Sequence, residues 1–208
     1  MGDSAGKVAI HSLTEGQLYL WVTPCPRCGQ GSLVPGPGVD ERRTDGDVLA
    51  VPVTCRPCQE RVRIDFALGP GAGVQQASAD FMTLDQAIAP PPLPINPTDE
   101  ASRAIDVAGW LTLEAMLLER ARAVAARAEG LADRATVRLW QVLAGECIAE
   151  ALKFYDEDND LPPEDAFFSE SSRRQFRERP ALFARDRLID LRARKPMAHS
   201  QRQASQEE

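Results

Sequence analysis

Histidine and lysine are scarce in this chain: its 208 residues include 2 His and, by count along the sequence, 3 Lys. The two histidines, His11 and His199, lie far from every cysteine in the sequence, so no Cys–His or Ser–His pair for nucleophilic catalysis stands out. The glycines of residues 69–73 are not followed by the Gly-Lys-Ser/Thr of a phosphate-binding loop. These absences argue against an enzyme.

Long apolar runs are also missing. No stretch approaches the roughly 20 consecutive apolar residues of a membrane span, and the first 13 residues lack the apolar core of a signal peptide. We therefore expect a cytoplasmic protein without a membrane partner, in a compartment where thiols stay reduced. The 21 arginines among the 24 basic residues are typical of a GC-rich bacterial genome.

An excess of positive charge is absent as well. The net charge is −7, and residues 20–70 contain six arginines and six acidic residues. Proteins that bind nucleic acids usually present a basic face to phosphate. The balance of charge therefore disfavours DNA or RNA as the partner.

What the chain does have is two Cys-x-x-Cys pairs, at Cys25 and Cys28 and at Cys55 and Cys58. Two residues between cysteines let both sulfurs face one ion, and two such pairs supply all four ligands of a closed, structural metal site. Redox dithiols or disulfides are the competing interpretation, but no βαβ pattern surrounds either pair. The spacing predicts one structural Zn²⁺ in preference to iron, and no catalytic residue.

Strand-forming residues flank both pairs. Four segments are predicted as strands: residues 18–22, 32–34, 48–53 and 61–68. In the last of these, Val62, Ile64, Phe66 and Leu68 alternate with polar residues, so they share one face of the strand. The predicted order is strand, metal-binding turn, strand, long loop, strand, metal-binding turn, strand.

With this order and the sequence Cys25-Pro26-Arg27-Cys28-Gly29, the chain resembles the zinc-ribbon superfamily and its rubredoxin-like cysteine turn, here called a knuckle. The resemblance covers about residues 17–69 and implies that all four paired cysteines are ligands. Gln59 stands where a glycine usually follows the knuckle, and Pro57 lacks an N–H that could bond a thiolate. The 26 residues between the pairs exceed the usual spacing of about 15–20, and residues 35–47 are expected to be a surface loop.

The overall prediction is an α+β protein in five parts. Residues 1–16 form an N-terminal extension, 17–69 the ribbon, 70–97 a Gly/Pro-rich linker, 98–195 a helical domain and 196–208 a disordered tail. Within the linker, a short helical piece is predicted at 84–89. Residues 90–97 favour a stiff spacer, with a ligand for a proline-recognising domain as the alternative.

Two long amphipathic helices are predicted to form an antiparallel hairpin. The first is capped by Thr98 and ends near Gly130, and the second spans about 132–155. Small residues would let the helices approach closely, and Cys147 is interpreted as part of this core. The predicted seam consists of Ala121, Ala128, Ala144 and Ala151.

Two shorter helices are predicted at about 169–177 and 181–194. Residues 169–195 contain nine basic and four acidic side chains, whereas residues 150–166 contain seven acidic and one basic. The basic helices either form a docking face or lie against the acidic turn of the same domain. The run Asp156–Asp160 fails as a calcium loop, because Leu161 and Phe167 occupy the positions of the required Gly and Glu.

The leading functional hypothesis is a zinc-binding adaptor whose helical domain binds another protein. The alternative is a nucleic-acid-associated accessory factor, in transcription or RNA metabolism, that contacts phosphate through arginines. Electron transfer through iron is a third possibility. The arginines of the alternative are Arg42 and Arg43 in the loop, Arg61 and Arg63, and Arg173, Arg174, Arg177 and Arg185.

Overall fold

A computed structural model describes residues 7–30, 33–36, 43–45, 48–69, 81–87, 89–127 and 130–196 of the chain. These residues form a mixed sheet and a set of helices, so the α+β class is confirmed. The chain divides into two compact units, which we call unit 1 (Met1–Ile105) and unit 2 (Asp106–Glu208). Among the described residues, no helix has the length and apolar character needed to cross a membrane.

Unit 1 is built on a five-stranded sheet. Its strands are β1 (Val8–Ile10), β2 (Leu33–Pro35), β3 (Arg43–Asp45), β4 (Val48–Cys55) and β5 (Arg61–Leu68). The order is β1-β5-β4-β2, with β3 also paired to β4. β1 runs parallel to β5, and all the other pairs are antiparallel. Three of the four predicted ribbon strands are therefore present, as β2, β4 and β5.

The side chains of β5 alternate between the core and the solvent, as predicted. Ile64 and Phe66 are buried in the core, while Arg61 and Arg63 are exposed. Phe66 stacks on Phe81 with ring centroids 6.0 Å apart and meets Tyr19 edge-on at 5.7 Å. Aromatic pairs at these separations add to the free energy of burying the rings.

The prediction of a strand at residues 18–22 was wrong, because this segment belongs to the helix α1 (Leu13–Val22). Ser12 caps the helix by accepting a hydrogen bond from the Glu15 N–H at 3.0 Å, and the Glu15 carboxylate accepts one from the His11 N–H at 2.5 Å. This Ser-x-x-Glu pattern is a helix-start signal. It outweighs the strand propensity of the aromatic and branched residues that follow.

Residues 81–105, most of which were predicted to be a linker and a free spacer, pack against α1. Gln17 holds the Met82 backbone on both sides: its Nε2 donates to the Met82 carbonyl at 2.5 Å, and its Oε1 accepts from the Met82 N–H at 2.8 Å. The Thr14 hydroxyl donates to the Pro92 carbonyl at 2.9 Å, and the Ser12 hydroxyl donates to that of Ile95. The expected helical piece at 84–89 is only a turn, and residues 70–80 and 88 lie outside the described residues.

Two faces of α1 are therefore covered. On one face, Leu20 belongs to the core cluster formed with the sheet. On the other, Gln17 and Trp21 contact residues 81–105, and the Trp21 indole N–H donates to the Met82 carbonyl at 2.6 Å. At Gly16, an added Cβ would lie 3.0 Å from Ile10 Cδ1 and 3.5 Å from the Phe81 ring. A side chain at this position would push Ile10 away from the helix, so glycine allows this close packing.

Unit 2 contains the predicted helical hairpin, formed by α2 (Val107–Ala125) and α3 (Leu131–Leu152). The first helix starts at Asp106 and not at Thr98, because the Asp106 carboxylate caps it through the Gly109 N–H at 2.7 Å. Gly130 is the N-cap of α3 and does not end α2. The seam residues Ala121, Ala144 and Ala151 are buried as predicted, while Ala128 lies outside the described residues.

The rest of unit 2 consists of α4 (Glu170–Glu178), α5 (Arg185–Ala193) and two short 3₁₀ helices, Glu164–Ala166 and Pro180–Phe183. The final predicted helix, 181–194, is therefore split at Ala184. Phe167, Phe176 and Phe183 form an aromatic cluster with ring centroids 4.5 to 5.7 Å apart. Residues 197–208 of the predicted tail and residues 1–6 of the predicted extension lie outside the described residues.

Candidate metal centre

The first knuckle connects α1 to β2. The Cys25 N–H donates to the Gln30 carbonyl at 2.9 Å, and the Gly29 N–H donates to the Cys25 carbonyl at 2.8 Å. Gly29 has a φ of 68°, in the left-handed region that glycine adopts without strain. These two bonds fold the chain back on itself and turn the sulfurs of Cys25 and Cys28 toward one point.

The second knuckle connects β4 to β5 and repeats the same pattern. The Cys55 N–H donates to the Glu60 carbonyl at 2.9 Å, and the Gln59 N–H donates to the Cys55 carbonyl at 2.8 Å. Gln59 takes the left-handed conformation with a φ of 58°, so this knuckle has the same shape without a glycine. The Gln59 amide offsets part of the strain by donating to the Arg56 carbonyl at 2.7 Å.

Sheet pairing brings the two knuckles together. β2 lies antiparallel to β4 with Leu33 opposite Cys55, so the first knuckle is placed beside the second. The Cys25 and Cys58 sulfurs are 3.9 Å apart, the Cys28 and Cys55 sulfurs are 3.6 Å apart, and all four sulfurs lie within 4.8 Å of one another. A tetrahedron with metal–sulfur bonds of about 2.3 Å has edges of about 3.8 Å, so the cluster has the size of a four-thiolate metal site.

The four cysteine residues differ in exposure. Cys25 and Cys55, the first cysteine of each knuckle, are 1% and 0% exposed and belong to the hydrophobic core cluster of unit 1. Cys28 is half-buried, Cys58 is exposed, and all five cysteines of the chain are free thiols. A set of four thiolates suits zinc or iron, and its four positions leave none for water or substrate.

The local environment separates the pKa values of the two buried thiols. The Cys28 N–H, assisted by the Arg27 N–H, lowers the pKa of Cys25 to about 7. The Cys58 N–H lowers the pKa of Cys55, but burial and the three neighbouring thiols outweigh it and raise that pKa to about 12. Four thiolates at such short distances repel one another, so their joint ionisation requires a cation between them.

The two knuckles differ in the number of N–H donors near the sulfurs, because Pro57 has none, as the sequence predicted. The Arg27 N–H lies 3.4 Å from the Cys25 sulfur, and Pro57 occupies the equivalent position in the second knuckle without an N–H to donate. Hydrogen bonds to sulfur help to set the potential of iron–thiolate centres. An iron ion held by this cluster would therefore lack one hydrogen-bond donor at the second knuckle.

The arginines considered for phosphate binding are largely engaged within their own units. Arg63 forms a double hydrogen bond with Asp65 at 2.7 and 2.9 Å. Arg173 donates to the carbonyls of Phe167 and Phe168, Arg177 pairs with Glu170 at 2.6 Å, and Arg185 donates to the Glu157 carbonyl at 2.6 Å. Arg42 and the side chain of Arg43 lie outside the described residues.

The hydrogen bonds of Arg185 also show how α5 contacts the acidic turn. The Arg185 N–H donates to the Asp160 carbonyl at 2.8 Å, and the Tyr155 hydroxyl donates to the Phe183 carbonyl at 2.6 Å. The turn is thus held against the start of α5, mainly through backbone carbonyls.

Cys147 is 0% exposed in the α2–α3 core, where burial and nearby glutamates raise its pKa, so it is a core residue as predicted.

One buried polar residue of unit 1 lies in the segment that was predicted to be an N-terminal extension, residues 1–16. Glu15 is 0% exposed, and its Oε2 lies 3.1 Å from Nδ1 of His11. Its other oxygen, Oε1, has no hydrogen-bond partner among the residues that the structure describes. The Ser12-x-x-Glu15 signal reveals Glu15 as a capping residue, whereas its burial depends on the tertiary packing of unit 1.

Comparisons with protein-family models, with curated proteins and with solved structures give no match. The function is therefore inferred from the four-cysteine cluster and from the surface of each unit. The cluster brings together all four predicted ligands and contains no other His, Cys, Asp or Glu among the described residues. The cluster is thus a candidate site for a metal ion.

Proposed function

We propose that this protein is a zinc-binding adaptor, in which unit 1 is held together by one structural zinc ion and unit 2 binds another protein. The observation that carries the zinc proposal is the four-sulfur cluster, with sulfur separations of 3.6 and 3.9 Å across the two knuckles. Cys25, Cys28, Cys55 and Cys58 would be the ligands. Zinc would supply folding free energy and no reaction, because all four positions are taken by protein.

The arrangement of β2, β4 and β5 around two knuckles supports assignment of this part of the chain to the zinc-ribbon superfamily. The helix α1 before the first knuckle and the parallel strand β1 depart from the strand-only pattern of the resemblance. They enlarge the core that two of the sulfurs join. The metal would therefore stabilise a larger unit than the predicted residues 17–69.

Two observations on unit 2 support a protein partner over a nucleic acid. Large apolar side chains are exposed on it: Leu139 at 52%, Ile189 at 46%, Phe168 at 43% and Leu161 at 39%. Three of the four arginines proposed to contact phosphate there already bond to groups within unit 2. Exposed apolar residues with an internally used basic face favour hydrophobic docking over phosphate binding.

Metal analysis of the purified protein tests the zinc proposal. We expect about one zinc per chain and a colourless preparation, because zinc has no redox transitions. A red preparation containing iron would contradict the choice of metal and favour electron transfer. Protein that folds with neither metal would contradict the structural site.

Capture of partners with the tagged full chain tests the adaptor proposal. After nuclease treatment, a protein partner bound through apolar contacts should remain at high salt, whereas a partner held by charge should be lost. Ile189→Glu or Leu139→Glu should release the partner, and Arg174→Glu, a change at an exposed arginine, should not. Steeply salt-dependent binding to duplex DNA or RNA that Arg174→Glu weakens would support the nucleic-acid alternative instead.

A further inference from the structure

We propose that Cys58 is an oxidation site through which peroxide opens the metal centre and joins Cys58 to Cys25 in a disulfide. The proposal rests on the zinc site described above. It starts from the unequal exposure of the four cysteine residues: Cys58 is exposed, Cys28 is half-buried, and Cys25 and Cys55 are 1% and 0% exposed. Susceptibility of cysteine to peroxide follows exposure and thiolate character, and a zinc-bound cysteine is a thiolate.

Cys25 is the resolving cysteine. Its sulfur lies 3.9 Å from that of Cys58, while Cys28 and Cys55 form the other close pair across the knuckles at 3.6 Å. Cys28 and Cys55 are both less exposed than Cys58, so attack of peroxide begins at the Cys58 member of the first pair. Burial of Cys25 protects it from peroxide but not from a neighbouring sulfur.

The reaction balances with a hydroperoxide as oxidant. The Cys58 thiolate attacks one oxygen of hydrogen peroxide, the O–O bond breaks, and hydroxide leaves, which oxidises the sulfur to sulfenic acid. The Cys25 thiolate then attacks the Cys58 sulfur, the S–O bond breaks, and a second hydroxide leaves. Two thiolates and one peroxide thus become one disulfide and two hydroxide ions.

The position of this disulfide determines what happens to unit 1. Consumption of two thiolates leaves Cys28 and Cys55, and two ligands are too few for a structural zinc site. A Cys25–Cys58 bond connects the same two knuckles that the four sulfurs connect. Oxidised unit 1 should therefore keep its sheet after losing zinc, whereas a disulfide within one knuckle would leave the two knuckles unconnected.

Replacement of each outer cysteine by histidine tests the proposal, since a Cys₃His set still binds zinc. The zinc content of the full chain, of Cys58→His and of Cys28→His is measured first. Each protein is then treated with hydrogen peroxide, while zinc release is followed with a coloured chelator. Disulfides are located by mass spectrometry after thiols are blocked, and the sheet is followed by circular dichroism.

We expect wild type and Cys28→His to release zinc together with formation of the Cys25–Cys58 disulfide. Cys58→His should release it about tenfold more slowly, because the most exposed cysteine of the cluster is gone. Equal rates in the two variants, a first disulfide at any other pair, or loss of the sheet on oxidation would overturn the proposal. Protein without zinc before peroxide would instead show that the zinc proposal itself had failed.

Discussion

The two compact units of this chain keep their cores together by different means. In unit 1, most strands are short, and two sulfurs of the four-cysteine cluster sit within the core itself. In unit 2, two helices of 19 and 22 residues pack along a seam of buried apolar side chains, and an aromatic cluster completes the core. Short strands bury little apolar surface alone, so a metal at the four-cysteine cluster would add more to the stability of unit 1, whereas unit 2 depends on packing.

Removal of the metal should show the difference between the two units most clearly. With zinc bound, the site contributes on the order of 10 kcal/mol to folding, as in other structural zinc sites. We therefore expect a strong chelator, or Cys55→Ser, to unfold unit 1 and leave the α2 and α3 helices intact. Hydrogen exchange resolved along the chain would measure this. Cys147→Ala, which changes the thiol outside the cluster, is the control for zinc content, and loss of both units together would contradict the comparison.

Leucines on α3 test the packing of unit 2. Leu143 is 1% exposed and Leu139 is 52% exposed on the same helix. Leu143→Ala should lower the free energy of unfolding by about 2–5 kcal/mol, because it leaves a cavity in the core. Leu139→Ala should change it by less than about 0.5 kcal/mol. Urea unfolding followed by circular dichroism measures both, and the zinc content of both variants should equal that of the wild type.

The contact of Gln17 with Met82 tests whether residues 81–105 belong to the core of unit 1. Gln17→Ala removes both bonds to the Met82 backbone, at a cost of about 1–3 kcal/mol, while the Trp21 indole still donates to the Met82 carbonyl. The Met82 amide should exchange its hydrogen faster in this variant, with zinc still bound. Gln30→Ala, at an exposed position whose backbone carbonyl is unchanged, is the matched control. Unchanged exchange at Met82 in Gln17→Ala would mean that the segment is held by other contacts.

The smallest expected effect distinguishes the two knuckles. Gly29 and Gln59 both have left-handed backbones, and no described atom lies within 4 Å of a Cβ added at Gly29. Gly29→Ala should lower the stability of unit 1 by about 1 kcal/mol through backbone strain alone. Gln59→Gly should change it by less than about 0.5 kcal/mol, because relief of strain offsets the lost bond to Arg56. Thermal unfolding of the zinc-loaded variants compares them.

The candidate site was predictable because each half of it is local in sequence. A Cys-x-x-Cys turn needs only six consecutive residues to position its sulfurs, and the alternation in β5 needs only eight. The hairpin of unit 2 was predictable for the same reason, since the spacing of Trp110, Leu113 and Leu117 marks one helix face. All three are buried in the structure.

Two predictions were wrong where a competing cap or tertiary packing decides the structure. Residues 18–22 have strand propensity, yet the capping residues Ser12 and Glu15 and burial on two sides make them helical. Thr98 is a residue type that often caps helices, but its hydroxyl bonds to Asn96 instead. The helix is capped by Asp106, whose carboxylate also accepts the Phe168 N–H at 2.9 Å. The caps at Ser12 and Glu15 are local, whereas the contact of Thr14 with Pro92 and that of Asp106 with Phe168 join residues distant in sequence.

The sequence by itself determined the identity of the four clustered cysteines, most strands of the sheet and the helical nature of the second half of the chain. These follow from local spacing and periodicity, which act over a few residues. Only the tertiary structure decided that residues 81–105 pack on α1, that Cys58 is the exposed cysteine of the cluster and that Arg173, Arg177 and Arg185 bond within unit 2. Exposure and long-range hydrogen bonds depend on which surfaces meet after folding, and no local pattern records that.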